Sequence, residues 1–186
     1  YNFISKILIY LLILSSNALS DKISEIDVSG NQRISKQTIL VLGNISIGDD
    51  FNSDKINNSL KNLYKTNFFS DVIINLSDGL LKINVKENPI IEDIEIIGIK
   101  NQSFVDNISE SIVLKNRMSF TEEQLKKDIT LIKNILKSNG FYFAEVESSL
   151  LINEEVNSVR LKLDIDRGNK ARIKEINFIG DKKIKD

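Results

Sequence analysis

The chain has 186 residues, of which 41% are hydrophobic and 27% charged, and its formal net charge is −1. This composition is typical of globular domains, and the near-neutral charge excludes the basic footprint of a nucleic-acid-binding protein. The chain has no cysteine and no histidine, so it lacks thiolate ligands and the commonest general base. We therefore expect a protein that is not an enzyme and that binds no cofactor, metal or nucleic acid.

Residues 1–20 have the pattern of a secretory signal peptide. Lys6 precedes the uncharged apolar run 7–14, and small residues follow at Ala18 and Ser20. A retained membrane anchor is the alternative, but the apolar run is shorter than the roughly 20 residues that a spanning helix needs. We expect cleavage after Ser20 and export of the mature chain, and the lack of an initiator methionine leaves the true N-terminus open.

A pattern of eight residues that ends in glycine occurs three times, at 23–30, 91–98 and 173–180. Apolar residues stand seven, four and two positions before each glycine, which is typical of a β-strand that ends where the backbone needs positive φ or a close approach. The intervals between the glycines exceed solenoid repeats of about 20 to 50 residues. The pattern therefore predicts small tandem domains.

The first interval predicts two helices followed by a hairpin. Ser35 can cap a short helix that ends near Gly43, and Asn52 or Ser53 can cap a second helix with an apolar stripe that includes Tyr64. The strands that follow are 68–76 and 81–85, joined by a turn at Asp78-Gly79, and Pro89 ends the second of them.

The second interval predicts the same order of elements. A helix is expected around 105–114, and Thr121 has the spacing of a capping box at the start of the next helix. The tract 141–146 parallels 68–72 with one residue added, so that Phe143 matches Phe69 and Val146 matches Val72. A longer hairpin loop, 153–158, precedes an alternating strand, 159–165.

Two helices between the first and second strands leave the first strand parallel to the third, which most simply gives the order one–three–two. The sequence thus predicts an α+β fold of tandem β-α-α-β-β domains, each a three-stranded mixed sheet covered on one face by two helices. The second strand of each sheet then lies at an edge, where its unpaired N–H and C=O groups can bind an extended client by β-augmentation. The alternative is that these edges meet only solvent or the next unit. The predicted client-binding residues are Val72, Ile73, Ile74, Asn75, Leu76, Val146, Glu147, Ser148, Ser149 and Leu150.

Three features together resemble POTRA (polypeptide-transport-associated) domains, and more narrowly those of the Omp85 family. They are the octet that ends in glycine, the tract 63–72 and the junction Glu87-Asn88-Pro89-Ile90-Ile91. The resemblance covers residues 21–186. It implies a signal peptide, five such domains in the complete protein and a C-terminal membrane β-barrel that inserts other barrels.

The resemblance also implies the function, the partners and the location. The chain is expected to be the periplasmic scaffold and client-binding arm of an outer-membrane β-barrel assembly and insertion machine. Its expected partners are unfolded outer-membrane β-barrel proteins, accessory assembly lipoproteins and its own C-terminal membrane barrel. The expected domains are a signal peptide at 1–20, POTRA-like domains at 21–88 and 89–168, and the start of a third at 169–186.

Two other classes of function remain as alternatives. The chain could belong to a related autotransporter-assembly or two-partner secretion transporter, or to a membrane-anchored division or secretion protein with POTRA-like modules. An enzyme that uses carboxylates is disfavoured because the acidic pairs are adjacent residues, which diverge on a helix or strand instead of facing one bond. Pairs of this kind include Asp49-Asp50, Glu122-Glu123 and Glu154-Glu155.

Overall fold

The computed structural model describes residues 22–172 and 174–177, and the chain divides into two compact units after Glu87. The signal peptide predicted at 1–20 lies outside the described residues. The third octet, 173–180, is described only at 174–177, where it is neither helix nor strand.

The first unit has the predicted order of strand, helix, helix, strand and strand. Its elements are β1 (Glu25–Ser29), α1 (Lys36–Gly43), α2 (Ser53–Lys65), β2 (Phe69–Ser77) and β3 (Leu80–Glu87). The predicted caps are present: the side chain of Ser35 accepts the N–H of Thr38, and that of Asn52 accepts the N–H of Lys55.

The second unit repeats this order with a longer second helix. Its elements are β4 (Ile90–Ile97), α3 (Gln102–Ser111), α4 (Glu122–Ser138), β5 (Glu145–Asn153) and β6 (Ser158–Asp166). The Thr121 hydroxyl accepts the N–H of Gln124 at the start of α4, at 3.2 Å, as the capping-box spacing predicts.

In both units the last strand is the central strand of a mixed sheet. β1 pairs in parallel with β3, and β2 pairs antiparallel with β3. The second sheet has the same arrangement, so the two strand orders are β1-β3-β2 and β4-β6-β5. The predicted α+β class and the order one–three–two are confirmed.

One face of each sheet is buried against the two helices of its unit. In the first unit Leu81 and Ile83 of β3 pack with Ile39 of α1 and Leu63 of α2. The second core joins β6 to α3 and α4 through the fully buried side chains of Ile108, Ile132, Leu136, Leu161 and Leu163. Burial of each such side chain stabilises its unit by about 1.5–3 kcal/mol.

The glycine that ends each of the first two octets is required for two reasons. Gly30 has φ +81° and Gly98 has φ +89°, a region that L residues rarely adopt. A Cβ on Gly30 would lie 2.0 Å from the carbonyl oxygen of Val85, and one on Gly98 would lie 2.1 Å from that of Ile165. The first strand of each unit therefore leaves the sheet by passing over the backbone of the central strand.

The helix predicted around 105–114 is α3, which begins and ends earlier than expected. Asn101 caps its start, where the side chain accepts the N–H of Phe104 at 3.0 Å. The helix ends at Ser111 and the backbone of Ile112 is extended, because the N–H groups of the next two residues bind a carboxylate of α4 instead of continuing the helix.

The predicted match of Phe143 with Phe69 in position does not extend to packing. Phe69 is 3% exposed, whereas Phe143 is 79% exposed. Phe143 precedes β5, which begins at Glu145, and Phe141 packs against the second core instead.

Candidate functional site

All ten residues predicted for client binding lie on β2 and β5, each of which forms one edge of its sheet, while β1 and β4 form the opposite edges. We call β2 and β5 the outer strands. Each outer strand has a hydrogen-bonded neighbour on one side only. On β2, Val72 is buried, Ile74 and Leu76 are half-buried, and Ile73 and Asn75 are exposed. On β5, Val146 is buried, and the other predicted residues, Glu147, Ser148, Ser149 and Leu150, are exposed.

The register of β2 identifies the backbone groups that face outward. Val72 is opposite Val85, yet its N–H donates to the Tyr64 hydroxyl at 3.0 Å, so it points away from β3. Backbone groups alternate in direction along a strand. Ile74 and Leu76 therefore also face outward, where they are available to a further strand.

The same argument applies to β5. The N–H of Ile90 donates to the carbonyl oxygen of Asn157, just before β6, at 3.0 Å. The backbone groups of every second residue after Asn157, beginning with Val159, therefore also face β4. The remaining residues of β6 pair with β5, beginning with Ser158 opposite Asn153. The outward-facing residues of β5 are therefore Val146, Ser148, Leu150 and Ile152.

Tyr64 is a site residue that the sequence analysis missed. Its hydroxyl accepts the N–H of Val72 at 3.0 Å and donates to Oδ1 of Asp71 at 3.4 Å, so it occupies the outer edge of β2. The sequence pattern predicts Tyr64 only as part of the apolar stripe of α2. The sequence does contain one difference between the units at this position. Tyr64 follows the buried Leu63 near the end of α2, and the residue that follows the corresponding buried Leu136 near the end of α4 is Lys137.

The edge of β5 is unoccupied within the described residues. No hydrogen bond in this part of the chain reaches the outward backbone groups of Val146, Ser148, Leu150 or Ile152. Lys137 lies elsewhere, with Nζ 5.8 Å from the ring centroid of Tyr142.

The distal half of β5 also exposes apolar side chains. Leu151 is 66% exposed and Ile152 is 62% exposed. Both line an open recess beside the hairpin loop, together with Glu154, Glu155 and Glu92. A segment that added to β5 would bury this apolar surface, which is otherwise in water.

Glu92, which lines this recess, accepts two side-chain hydrogen bonds. It accepts hydrogen bonds from the Ser158 hydroxyl at 2.5 Å and from Nε of Arg160 at 2.9 Å. The Ser158 bond, followed by the Arg160 bond and charge, lowers the pKa of Glu92 below its ordinary value. The Glu92 carboxylate is thus held by hydrogen bonds from Ser158 and Arg160.

A buried carboxylate in the first unit has a structural role. Oε1 of Glu87 accepts the N–H groups of Gln32, Arg33 and Ile34 at 2.8, 3.0 and 2.9 Å. Nε of Arg33 lies 3.1 Å from Oε2. Burial acts to raise the pKa of Glu87, but the three N–H donors and the Arg33 charge outweigh it and lower the pKa below its ordinary value.

Asp128 plays the equivalent part in the second unit, from a different element. Its carboxylate accepts the N–H of Val113 at 3.1 Å and that of Leu114 at 2.8 Å, and the Gln124 amide donates to it at 2.9 Å. It fixes the segment between α3 and α4. Both buried acids are thus used for folding.

One of the acidic pairs lies at the start of a helix. Glu122 and Glu123 lie in the first turn of α4, where the helix dipole favours acids, and Glu123 pairs with Lys127 at 2.6 Å. Within residues 22–172 and 174–177, no group of acidic side chains could hold a metal ion. In the same part of the chain no helix is both long and apolar enough to cross a bilayer.

Comparison with known proteins gives consistent results along the chain. The POTRA family, described as surface antigen variable number repeat, matches residues 22–88 and 89–168. The outer membrane protein assembly factor BamA of Neorickettsia risticii is 28% identical over 93% of this chain and 23% of its own length. That of Neisseria meningitidis serogroup B is 29% identical over 95% of this chain and 22% of its own length.

The fold also matches a solved structure. The N-terminal domain of Omp85 from the cyanobacterium Thermosynechococcus elongatus has a TM-score of 0.54 at 17% identity, over 79% of this chain and 63% of that one. The chain spans less than a quarter of the length of the two BamA relatives. Because the family matches residues 22–88 and 89–168, which together make up well over half of the sequence, the chain belongs to the POTRA family.

Proposed function

We propose that the chain is the periplasmic scaffold and client-binding arm of an outer-membrane β-barrel assembly and insertion machine. The similarity of nearly the whole chain to proteins named outer membrane protein assembly factor supports this proposal. The proposed location is the periplasmic face of the bacterial outer membrane. The proposed organisation is a cleaved signal peptide at 1–20, POTRA domains at 21–88 and 89–168, and a third that begins at 169.

The proposed mechanism is non-covalent β-augmentation at an outer strand. The observation that carries it is the row of outward backbone groups on β5, at Val146, Ser148, Leu150 and Ile152, to which no described residue hydrogen-bonds. An extended segment of an unfolded barrel protein would pair with these groups, so that its backbone supplies affinity with little dependence on sequence. The exposed Leu151 and Ile152 beside them would supply apolar contact.

Three partners follow from the proposed function. Unfolded outer-membrane β-barrel proteins are the clients, and accessory assembly lipoproteins and the protein's own C-terminal membrane barrel are the stable partners. Clients of many sequences need a recognition element that reads the backbone, which an unpaired strand provides.

A proline on β5 tests this mechanism. Leu150→Pro removes an outward N–H while it leaves the hydrogen bonds from β5 to β6 in place, so the sheet is expected to persist. The affinity for an unfolded outer-membrane barrel protein, diluted from urea and measured by fluorescence anisotropy, is expected to fall about tenfold.

Leu150→Ala is the matched control, because it shortens the same side chain and retains the N–H. Circular dichroism and thermal unfolding would establish that both variants are folded. Binding by folded Leu150→Pro that equals binding by Leu150→Ala would refute strand addition at β5.

A further inference from the structure

We infer that the Tyr64 hydroxyl closes the outer edge of β2, so that an extended polypeptide segment adds to β5 and not to β2. This inference rests on the proposed strand addition, and it assigns to Tyr64 the role of a residue that determines which unit is used. The two outer strands have the same length and topology, so topology alone does not distinguish them.

The hydroxyl lies where an incoming strand would bind. A strand added to β2 would place a carbonyl oxygen about 2.9 Å from the outward N–H of Val72. The Tyr64 oxygen is already 3.0 Å from that nitrogen. Two oxygen atoms cannot accept this single N–H in the same position, so the added strand would have to displace Tyr64.

Displacement of Tyr64 would also break its second contact. The hydroxyl donates to Asp71 at 3.4 Å, and Asp71 lies next to Val72 on the same strand. The ring is carried by α2, whose last turn includes the fully buried Leu63, and this anchors the tyrosine beside the edge. With Val72 excluded, only Ile74 and Leu76 remain as outward residues of β2 near the middle of the strand.

The second unit lacks this closure. Lys137 stands in the position of Tyr64, and its ammonium group donates hydrogen bonds but cannot accept one from the N–H of Val146. Four outward residues of β5 are therefore available in a continuous row. In addition, Ser148, Leu150 and Ile152 are exposed, whereas Ile74 and Leu76 of β2 are half-buried under their own unit.

Because the chain has no cysteine, a single introduced cysteine is the only thiol that can react in a disulfide-trapping test. Val72 corresponds to Val146, so Asn75 corresponds to Ser149, and both are exposed on the same face of their outer strands. Each is changed singly to cysteine, as Asn75→Cys and Ser149→Cys. The probe is a soluble peptide of about nine alternating valines and threonines, with lysine at both ends and a central cysteine.

The cysteine of the peptide is activated as its disulfide with thionitrobenzoate. Attack by the protein thiolate forms the peptide–protein disulfide and releases thionitrobenzoate, whose absorbance gives the rate. Each rate is divided by the rate for a small aromatic disulfide with no peptide, which corrects for thiol reactivity. We expect the corrected rate at Ser149→Cys to exceed that at Asn75→Cys about fivefold, the worth of one net hydrogen bond.

Removal of the hydroxyl should open the first edge. Tyr64→Phe keeps the ring and removes only the oxygen, so it should raise trapping at Asn75→Cys about fivefold and leave trapping at Ser149→Cys unchanged. Equal trapping at the two strands with Tyr64 intact would overturn the inference, as would an unchanged rate at Asn75→Cys in the Tyr64→Phe background.

Amide hydrogen exchange tests the closure without any peptide. The Val72 amide should exchange about fivefold more slowly than the Val146 amide after correction for local sequence, and Tyr64→Phe should remove this protection. Equal exchange would contradict the inference while it leaves the proposed function in place. Failure to trap peptide at either strand in any variant would overturn strand addition, and the inference with it.

Discussion

The outer strands β2 and β5 each contain nine residues and pair with a central strand in the same way. They nevertheless present different surfaces to an incoming chain. On β2 a tyrosine from the preceding helix occupies the edge, whereas the corresponding lysine lies over the Tyr142 ring and no described residue occupies the edge of β5. Two strands of the same topology can thus present different edges, because a side chain from a neighbouring helix hydrogen-bonds to the backbone of one of them.

The two units also differ in how they fix a loop before a helix. Glu87, at the end of β3, binds three N–H groups in the segment before α1. Asp128, within α4, binds two N–H groups in the segment after α3. Similar backbone folds have thus been stabilised with the same chemistry from unrelated positions, which limits how far one repeat predicts the other.

Phe69 and Phe143, which align but differ in burial, give the sharpest test of how far the two units pack alike. Phe69→Ala removes a ring that is 3% exposed, so the free energy of unfolding of the first unit should fall by about 3–5 kcal/mol. Phe143→Ala removes a ring in water and should change stability by less than about 0.5 kcal/mol. Urea denaturation measures both. Comparable losses would mean that the two aromatic residues have the same packing role.

The octet glycines test what the units share. Gly30→Ala should destabilise the first unit by more than about 3 kcal/mol, because it combines a positive φ with a methyl group against the Val85 carbonyl oxygen. Gly48→Ala is the control, since its φ of +89° is similar but nothing lies within 4 Å of the added Cβ. It should cost only about 1 kcal/mol. Equal losses would show that backbone conformation alone matters.

The buried acid of the first unit should give a smaller effect that depends on pH. Glu87→Gln should reduce the free energy of unfolding by about 2–3 kcal/mol at pH 7, since it weakens three charge-assisted hydrogen bonds and the Arg33 pair. Denaturation of the whole chain, with unfolding of the first unit followed separately, measures this loss. Glu123→Gln, which breaks the exposed Lys127 pair, is the control and should leave stability unchanged.

The sign of the pH dependence follows from the lowered pKa of Glu87. The stabilisation is fully present above the ordinary carboxyl pKa of about 4.5 and is lost as pH falls through the lower pKa of the folded unit. The difference between wild type and Glu87→Gln should therefore shrink progressively below about pH 4.5. A difference that grew on acidification would be inconsistent with a carboxylate that is ionised in the folded unit.

Much of the fold could be predicted because its signals are local. The repeated octets mark the first strand of each described unit, and alternation marks β3 and β6. Asp78-Gly79 encodes its hairpin directly, since both residues have positive φ. Ser35, Asn52 and Thr121 cap helices through side chains that bond only three residues ahead, so short-range sequence was sufficient to locate these helix starts.

The features that escaped prediction depend on contacts between distant residues. The end of α3 is set by Asp128 on the next helix, and the exposure of Phe143 is set by where β5 meets β6. The outer strands themselves followed from topology, but the Tyr64–Val72 hydrogen bond did not, because a hydroxyl in an apolar stripe gives no sign of its target. The binding of clients at the ten predicted residues stays a prediction.

Glu87 has a practical consequence for dissection of the chain. It is the last residue of the first unit, and its carboxylate reaches back more than fifty positions to the segment after β1. A truncation after Lys86 would remove the side chain that joins the end of the first unit to the segment after β1. Any fragment, chimera or domain swap that is meant to preserve the first unit must therefore carry Glu87 with it.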